Sequence, residues 1–185
     1  AVMVSWQREG EKPNIITVAW TGTVCTNPPM GYISVRPQRY SYDILDETGE
    51  FVINLTTKEL ARATDYCGVR SGRDVDKFKE TGLTAVEATK VKAPLIAEAP
   101  VNIECRITEK KELGSHHMFL AEVLAVHVDE KYLDENGKFQ LNKSGLIAYS
   151  HGEYLDLGKE IGTFGYSVKK KTKKPQKRKK KKVER

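Results

Sequence analysis

The residues best suited to bind a ligand lie where one predicted strand ends and the next predicted helix begins. Arg36, Arg39 and Ser41 follow the apolar run of residues 31–35, and a short helical segment starts directly after them at Tyr42. A helix N-terminus offers unpaired N–H groups, and the planar guanidinium of arginine matches the oxygens of a phosphate. The pattern therefore indicates an anion site to which Ser41 adds a hydroxyl. The same residues are also consistent with a plain N-cap at Ser41 and solvated arginines.

Trp20 is a second candidate ligand contact. A strand that carries Trp20 beside Thr17, Thr21 and Gly22 can present a flat, partly polar wall to an aromatic ligand. The alternative is a tryptophan that packs in the core while the threonines face the solvent. Lys77 lies in the segment DKF, where a lysine is ordinarily a surface residue.

The common catalytic and metal-binding motifs are missing from the sequence. It contains no glycine-rich loop for a dinucleotide or a phosphate, no serine-centred nucleophile elbow and no paired-histidine zinc helix. His116 and His117 are adjacent, so on a strand they point to opposite faces and cannot chelate one ion together. The three cysteines, Cys25, Cys67 and Cys105, form no C-x-x-C pair. They predict buried free thiols and a reducing, cytoplasmic location.

Strand patterns dominate the chain. The predicted strands cover residues 1–6, 14–25, 31–35, 51–55, 101–110 and 118–128. Three short helices are predicted among them, ending at Gly49, Gly68 and Gly82. At least six strands with few helices exclude a regular βαβ alternation and predict a mainly β, largely antiparallel barrel.

The charge of the chain is unevenly distributed. Its 185 residues carry a net charge of +6, but residues 169–185 hold 12 of the 31 basic residues and one of the 25 acidic residues. We therefore expect one folded domain over residues 1–168 and a disordered Lys/Arg-rich tail over residues 169–185. The tail suggests a more remote function, which is salt-dependent binding to nucleic acid or another anionic surface.

No apolar run in the sequence is long enough to span a membrane. The chain opens directly on a predicted strand, so we expect the natural chain to begin upstream of Ala1.

One ordered set of segments extends along most of the sequence. It consists of NIITVAWTG from Asn14, CTNPP from Cys25, ISVRPQRYSY from Ile33, GEFVINL from Gly49, DYCG from Asp65, SGRDVDKF from Ser71, TGL from Thr81, AP from Ala93 and GSH from Gly114. In this order, the segments resemble those of the flavin reductase-like, flavoredoxin-type FMN-binding proteins. The resemblance covers roughly residues 1–168, and it depends on the whole set because each segment alone is unspecific.

This resemblance implies a fold, a cofactor and a set of contacts. The implied fold is a split antiparallel β-barrel with a few short helices, and it binds FMN non-covalently as a homodimer with the flavin near the subunit interface. The implied contacts are Asn14 and Thr17 on the second strand, Ala19, Trp20 and Thr21 beside the isoalloxazine ring, Arg36 and Ser41 as a phosphate clamp, Lys77 on phosphate or ribityl oxygens, and His116 and Phe164 near the flavin.

Two functions are compatible with the resemblance. In the first, the protein is an oxidoreductase in which NAD(P)H passes a hydride to FMN, and the electrons continue to a flavin, a metal or a protein acceptor. In the second, the protein is a carrier that relays electrons between redox partners without NAD(P)H activity of its own. Hydride transfer needs no general base, so the missing catalytic motifs do not favour either function.

Overall fold

The structure, a computed structural model, describes residues 1–169. Its elements, in chain order, are β1 Val2–Trp6, β2 Asn14–Val18, β3 Thr21–Cys25, β4 Met30–Val35, α1 Ser41–Thr48, β5 Glu50–Leu55, α2 Ala61–Val69, α3 Lys77–Thr81, β6 Ala85–Val86, β7 Leu95–Ile96, β8 Val101–Leu113, β9 His116–Val128, β10 Ile147–Ser150 and β11 Glu153–Asp156. The predicted tail lies outside the described residues, except for Lys169.

Seven of the strands form one antiparallel sheet, whose order is β2-β1-β5-β8-β9-β4-β3. β2 and β3 lie at opposite edges of this order, yet only Ala19 and Trp20 separate them in the chain. The sheet must therefore curl until its two edges approach each other. The Ser34 N–H donates to the Trp20 carbonyl at 2.8 Å, which joins the bend between β2 and β3 to β4. The prediction of one continuous strand over residues 14–25 was wrong, because the chain changes edges at Trp20.

The core fills the inside of the curled sheet. Alternate residues of β1, including Val4 and Trp6, pack there against Phe51 of β5, Phe119 of β9 and Ile33 of β4. Each large apolar side chain that is removed from water contributes about 1.5–3 kcal/mol, so this cluster supplies much of the stability of the barrel. β4 accordingly alternates between buried and half-buried residues, whereas all five residues of β1 are buried because its other face is covered as well.

α1 contributes Tyr42, Ile44 and Leu45 to the inner core, whereas α2 and α3 pack on the other face of the sheet. The prediction of a helix that ends at Gly68 was wrong, because α2 continues through Gly68 to Val69. α1 ends at Gly49 and α3 at Gly82, both with the positive φ that glycine adopts without strain. The interpretation of Ser41 as an N-cap was wrong, since Tyr40 holds the cap position and Ser41 is the buried first residue of α1. A second apolar cluster lies between the sheet and α2 and α3, and it is formed by Met3, Ile15, Leu60, Cys67, Phe78, Leu83, Ile96 and Ala99.

A buried carboxylate fixes the loop between β6 and β7 on the sheet. Glu104 of β8 accepts hydrogen bonds from the Thr89, Lys90 and Val91 N–H groups and from the Thr89 hydroxyl, and its Oε1 lies 2.5 Å from His127 Nε2. Burial alone would raise the pKa of Glu104, but these donors outweigh it and lower that pKa to about 2.

The three cysteines are free and differ in exposure. Cys67 and Cys105 are buried, and burial raises the pKa of Cys67 to about 11 and that of Cys105 to about 12. Cys25 is exposed at the end of β3, so the prediction that it is buried was wrong. Within residues 1–169, no helix is long and apolar enough to cross a membrane.

Candidate functional site

A cleft begins at the bend between β2 and β3. Its first part, which we call the proximal cavity, has a volume of about 410 Å³. Trp20 stands at its mouth, 64% exposed, with its ring 5.8 Å from the ring of His116 on β9. The alternative that Trp20 packs in the core was therefore wrong. The cavity is lined by Ile16, Thr17, Val18, Ala19, Trp20, Ser34, Val35, Arg36, Arg39 and His116.

The cleft narrows beyond Arg39 into a second part of about 160 Å³, which we call the waist. Ile16 and Arg39 line both parts, so the two parts adjoin each other. The lining of the waist contains four cationic side chains and no carboxylate. It is formed by Ile16, Gln38, Arg39, Tyr40, Ser41, Cys67, Gly68, Val69, Arg70, Ser71, Gly72, Arg73 and Lys77. Such a donor set matches the oxygens of a phosphate ester.

Lys77 is the buried cation of the waist, with only 4% of its surface exposed. Its Nζ donates to the Ile15 carbonyl at 2.6 Å and to the Cys67 carbonyl at 2.7 Å. An ammonium has three N–H donors, so one remains for a ligand. Burial lowers the pKa of Lys77 to about 8, and the nearby Arg39 acts in the same direction. The alternative of an ordinary surface lysine was wrong.

Two of the other three cations, Arg70 and Arg73, lie on a turn whose shape depends on Gly72. After α2, the Ser71 hydroxyl accepts from the Arg73 N–H at 3.2 Å, and the Ser71 carbonyl accepts from the Asp74 N–H at 3.1 Å. A Cβ atom on Gly72 would lie 1.7 Å from Asn14 Nδ2, so only glycine fits above Asn14. Asn14 thereby supports the turn that carries Arg70 and Arg73.

The structure brings together seven of the ten residues that the resemblance implies. Thr17, Ala19, Trp20, Arg36 and His116 line the proximal cavity, while Ser41 and Lys77 line the waist. Their contacts with a flavin remain predictions.

The other three lie elsewhere. Asn14 is buried beneath Gly72 and lines neither part. The Thr21 hydroxyl donates to the Tyr32 carbonyl at 2.9 Å, outside both linings. Phe164 is fully exposed on the segment after β11.

Sequence reasoning did not assign three residues of the waist. Arg70, Ser71 and Arg73 line it, whereas the sequence pattern indicated Arg36, Arg39 and Ser41 for the anion and the resemblance added Lys77. Arg36 lines the proximal cavity alone, and Arg39 stands at the junction of the two parts. The signal that could have found them is the spacing R-S-G-R, two arginines around a serine and a glycine.

A larger cavity, about 840 Å³, is formed elsewhere by α2, the end of α3 and the segment around Tyr132. Its charged lining consists of three carboxylates, Glu59, Glu80 and Glu98, and two cations, Arg62 and Lys131. Three carboxylates would repel a phosphate, so we place the candidate site in the smaller cleft. Within residues 1–169, no three His, Cys, Asp or Glu side chains form a group that could hold a metal ion.

Comparison with known proteins gives consistent matches. The family model for the flavin reductase like domain matches residues 1–158. An uncharacterized protein of Archaeoglobus fulgidus is 34% identical over 143 residues, which cover 77% of this chain and 80% of that protein. The flavoredoxin of Desulfovibrio vulgaris (Miyazaki F) superposes with a TM-score of 0.84 and 32% identity, and the match covers 91% of each chain.

A third match is the FMN-binding protein from Thermus thermophilus, with a TM-score of 0.76 and 25% identity over 88% of each chain. These similarities confirm the predicted mainly β split barrel.

Proposed function

Because the chain belongs to the flavin reductase-like family, we propose that it is an oxidoreductase that carries non-covalent FMN in the cleft and transfers electrons from NAD(P)H to an acceptor. The observation that carries the proposal is the waist, where a buried lysine and three arginines converge without a carboxylate. A phosphate monoester carries a charge of about −1.5 to −2, which this set neutralises. When bound, FMN supplies the hydride and electron chemistry.

The residues of the chain then have distinct roles. Lys77, Ser41 and the arginines of the waist bind the phosphate, and Lys77 is held rigid because two carbonyls fix its Nζ. Trp20 and His116 flank the aromatic part of the cofactor at the open mouth. The open mouth leaves room for NAD(P)H, which gives up a hydride and leaves as NAD(P)⁺. The acceptor, a flavin, a metal or a redox protein, takes the two electrons.

The absorption spectrum of the purified protein tests the cofactor. Oxidised flavin absorbs near ~370 and ~450 nm, so protein reconstituted with FMN and freed of excess ligand by gel filtration should retain both bands. Loss of the bands on the column would contradict a resident flavin.

A carrier without NAD(P)H activity is the second candidate, favoured by the similarity to the Desulfovibrio vulgaris flavoredoxin. Steady-state oxidation of NADH and NADPH by the FMN-loaded protein separates the two functions. Turnover with free flavin, ferric iron or another acceptor supports the enzyme, while no turnover with any of them favours the carrier.

We propose a cytoplasmic location for the protein. The free thiols of Cys67 and Cys105 are consistent with the reducing conditions of the cytoplasm.

Arg36→Ala should weaken FMN binding by about 1.5–3 kcal/mol, the range for a hydrogen bond to a charged group. Arg36 lines the proximal cavity, where its guanidinium can reach the phosphate or the polar edge of the flavin. Quenching of flavin fluorescence during titration measures the affinity. Arg62→Ala removes an exposed arginine of α2 outside the cleft and is the matched control. Wild-type affinity in the Arg36 variant would contradict its assignment as a cofactor contact.

We also propose that the protein is a homodimer. The segment after β11 exposes apolar side chains, among them Ile161 at 91%, Phe164 at 106% and Val168 at 82%. Such residues are a cost in a monomer and are typical of a surface that a second subunit covers. Light scattering on the FMN-loaded protein should give twice the chain mass of 20.9 kDa. A monomer mass at micromolar concentration would contradict the dimer.

A further inference from the structure

The mouth of the proximal cavity carries arginines but no carboxylate. Among the described residues that line this cavity, Arg36 and Arg39 are the permanently charged ones. Both arginines are exposed, and neither forms an ion pair in the part of the chain that the structure describes. Their charges therefore act on any solute that approaches the open end of the cleft.

The strands that frame the rest of the mouth are uncharged. Residues 13–35, which contain β2, β3 and β4, include no Asp, Glu, Lys or Arg. The hydrogen bond from the Ser34 N–H to the Trp20 carbonyl holds the end of β4 beside Trp20. Arg36 follows on the same side of the chain as Ser34, because the buried Val35 between them points into the core. Arg36 thus adds a single sign of charge to a neutral wall.

The charge of Arg36 is separate from the cations of the waist. Arg36 lines the proximal cavity alone, whereas Lys77, Arg70 and Arg73 line the waist. A phosphate in the waist, with a charge of about −1.5 to −2, compensates the cations there. The ring of an oxidised flavin is uncharged, so a guanidinium beside it keeps its full positive charge. The mouth therefore stays positive when the cofactor is bound.

A cleft lined by one sign of charge acts on the rate at which small ions enter it. Its walls of low dielectric constant focus the field, and such focusing changes association rates by about 10- to 1,000-fold. An exposed charge at a rim changes mainly the association rate and its dependence on salt. An arginine at the mouth thereby distinguishes solutes that reach the cofactor by their charge.

We propose that the mouth of the cleft selects small electron acceptors by charge, and that Arg36 sets this selectivity by attracting anionic acceptors and repelling cationic ones. The proposal rests on the flavin site proposed above and narrows its acceptor to an anionic oxidant. With a one-electron acceptor such as ferricyanide, two acceptor ions take the two electrons of one hydride. NAD(P)H leaves as NAD(P)⁺, and one proton is released to the solvent.

Quenching of tryptophan fluorescence measures the charge at the mouth directly. The chain has two tryptophans, and Trp6 is 1% exposed whereas Trp20 is 64% exposed, so dissolved ions reach Trp20 alone. In the flavin-free protein, at constant ionic strength, iodide should be favoured over caesium when both quenching constants are referred to free N-acetyltryptophanamide. Arg36→Gln should lower this iodide-to-caesium ratio about two- to fivefold, the effect of one unit charge on an ion a few ångströms away in water.

Two controls accompany the quenching experiment. Trp20→Phe should abolish quenching by both ions, which confirms that Trp20 gives the signal. Arg62→Gln removes an exposed arginine outside the cleft and should leave the ratio unchanged.

Reoxidation of the FMN-loaded protein tests the selectivity itself. After reduction with NADH, the protein is mixed in a stopped-flow instrument with ferricyanide, an anion, or with hexaammineruthenium(III), a cation of the same octahedral shape. Arg36→Gln, loaded at saturating FMN, should lower the ratio of the two second-order rate constants about tenfold at low ionic strength. The difference from wild type should disappear at about 1 M salt, where charges are screened within about 3 Å.

The results separate the selectivity from the flavin site. Equal quenching ratios in wild type and Arg36→Gln would overturn the proposal while leaving the flavin site intact. A quenching ratio that depends on Arg36, together with an acceptor ratio that does not, would also overturn it, because the charged mouth would then not select acceptors. If FMN itself does not bind, the proposed function fails and the selection of acceptors fails with it.

Discussion

Replacing Lys77 with methionine is expected to weaken FMN binding by about 1.5–3 kcal/mol, roughly ten- to 150-fold. Methionine keeps most of the apolar stem but removes the ammonium, which is the buried cation of the waist. A charge-assisted hydrogen bond in a buried site is stronger than one at the surface because water does not compete for it. Fluorescence titration with FMN measures the loss.

Lys79→Met is the matched control for this substitution. Lys79 lies two residues further along α3 and is exposed, so its replacement should leave the FMN affinity unchanged. In Lys77→Met the carbonyls of Ile15 and Cys67 lose their hydrogen-bond donor. The thermal unfolding temperature of the flavin-free variants shows whether this loss destabilises the fold. Equal FMN affinity in Lys77→Met and Lys79→Met would remove Lys77 from the phosphate site.

The pH dependence of FMN binding follows from the same residue. Burial lowers the pKa of Lys77 to about 8, below the ordinary value of a lysine. The phosphate binds the charged ammonium of Lys77, and it gains its own second charge at about pH 6. The affinity for FMN should therefore be highest between about pH 6 and pH 8, and should fall above pH 8 as Lys77 loses its proton. Lys77→Met should show no fall above pH 8. A wild-type affinity that stays constant from pH 7 to pH 10 would contradict this role.

Local sequence signals predicted the elements of the fold well. Gly49 and Gly82 end their helices as expected, because the positive φ at these positions is a local property of glycine. Gly114 lies in the turn between β8 and β9, the two long strands that alternation predicted. The similarity to known split barrels confirms the resemblance that the ordered segments indicated.

Burial at single positions was harder to predict, because it depends on residues far away in the chain. Tryptophan is a residue type that usually packs in the core, but at Trp20 the chain passes from one edge of the sheet to the other and leaves the ring exposed. The local sequence around Lys77 is typical of a surface lysine and only the family resemblance implied a cofactor contact, yet the carbonyls of Ile15 and Cys67, 62 and 10 residues away, bind it inside. Cys25 is exposed because the end of β3 lies outside the buried apolar clusters that contain Cys67 and Cys105. In each case the tertiary arrangement overrides the local preference.

The sequence predicted one FMN site but found only part of the waist, because the rest of the waist is assembled by the fold. Arg36 and Ser41 are close in sequence, so the local pattern was sufficient to find them. Arg70 and Arg73 follow α2, and only the packing of α2 against β2 brings them to the waist with Ser41. Their spacing alone resembles that of any polar turn, which is why they were not assigned.

Glu104→Ala is expected to lower the free energy of unfolding by about 3–5 kcal/mol, the usual effect of breaking a buried charged cluster. The carboxylate is fully buried and accepts from three backbone N–H groups, those of Thr89, Lys90 and Val91, which lose their acceptor when it is removed. Each buried N–H without an acceptor costs about 1–3 kcal/mol. Chemical denaturation followed by tryptophan fluorescence measures the change.

The control is Glu109→Ala, an exposed glutamate on the same strand, which should change stability by less than about 0.5 kcal/mol. The difference between the two variants should also depend on pH. The pKa of Glu104 is about 2 in the folded protein, below the ordinary value of 4.5, so its stabilising effect is complete above about pH 4.5 and is lost as the pH falls towards 2. The two variants should therefore converge in stability as acid is added. If they were equally stable at pH 7, the Glu104 cluster would not hold the loop between β6 and β7 on the barrel.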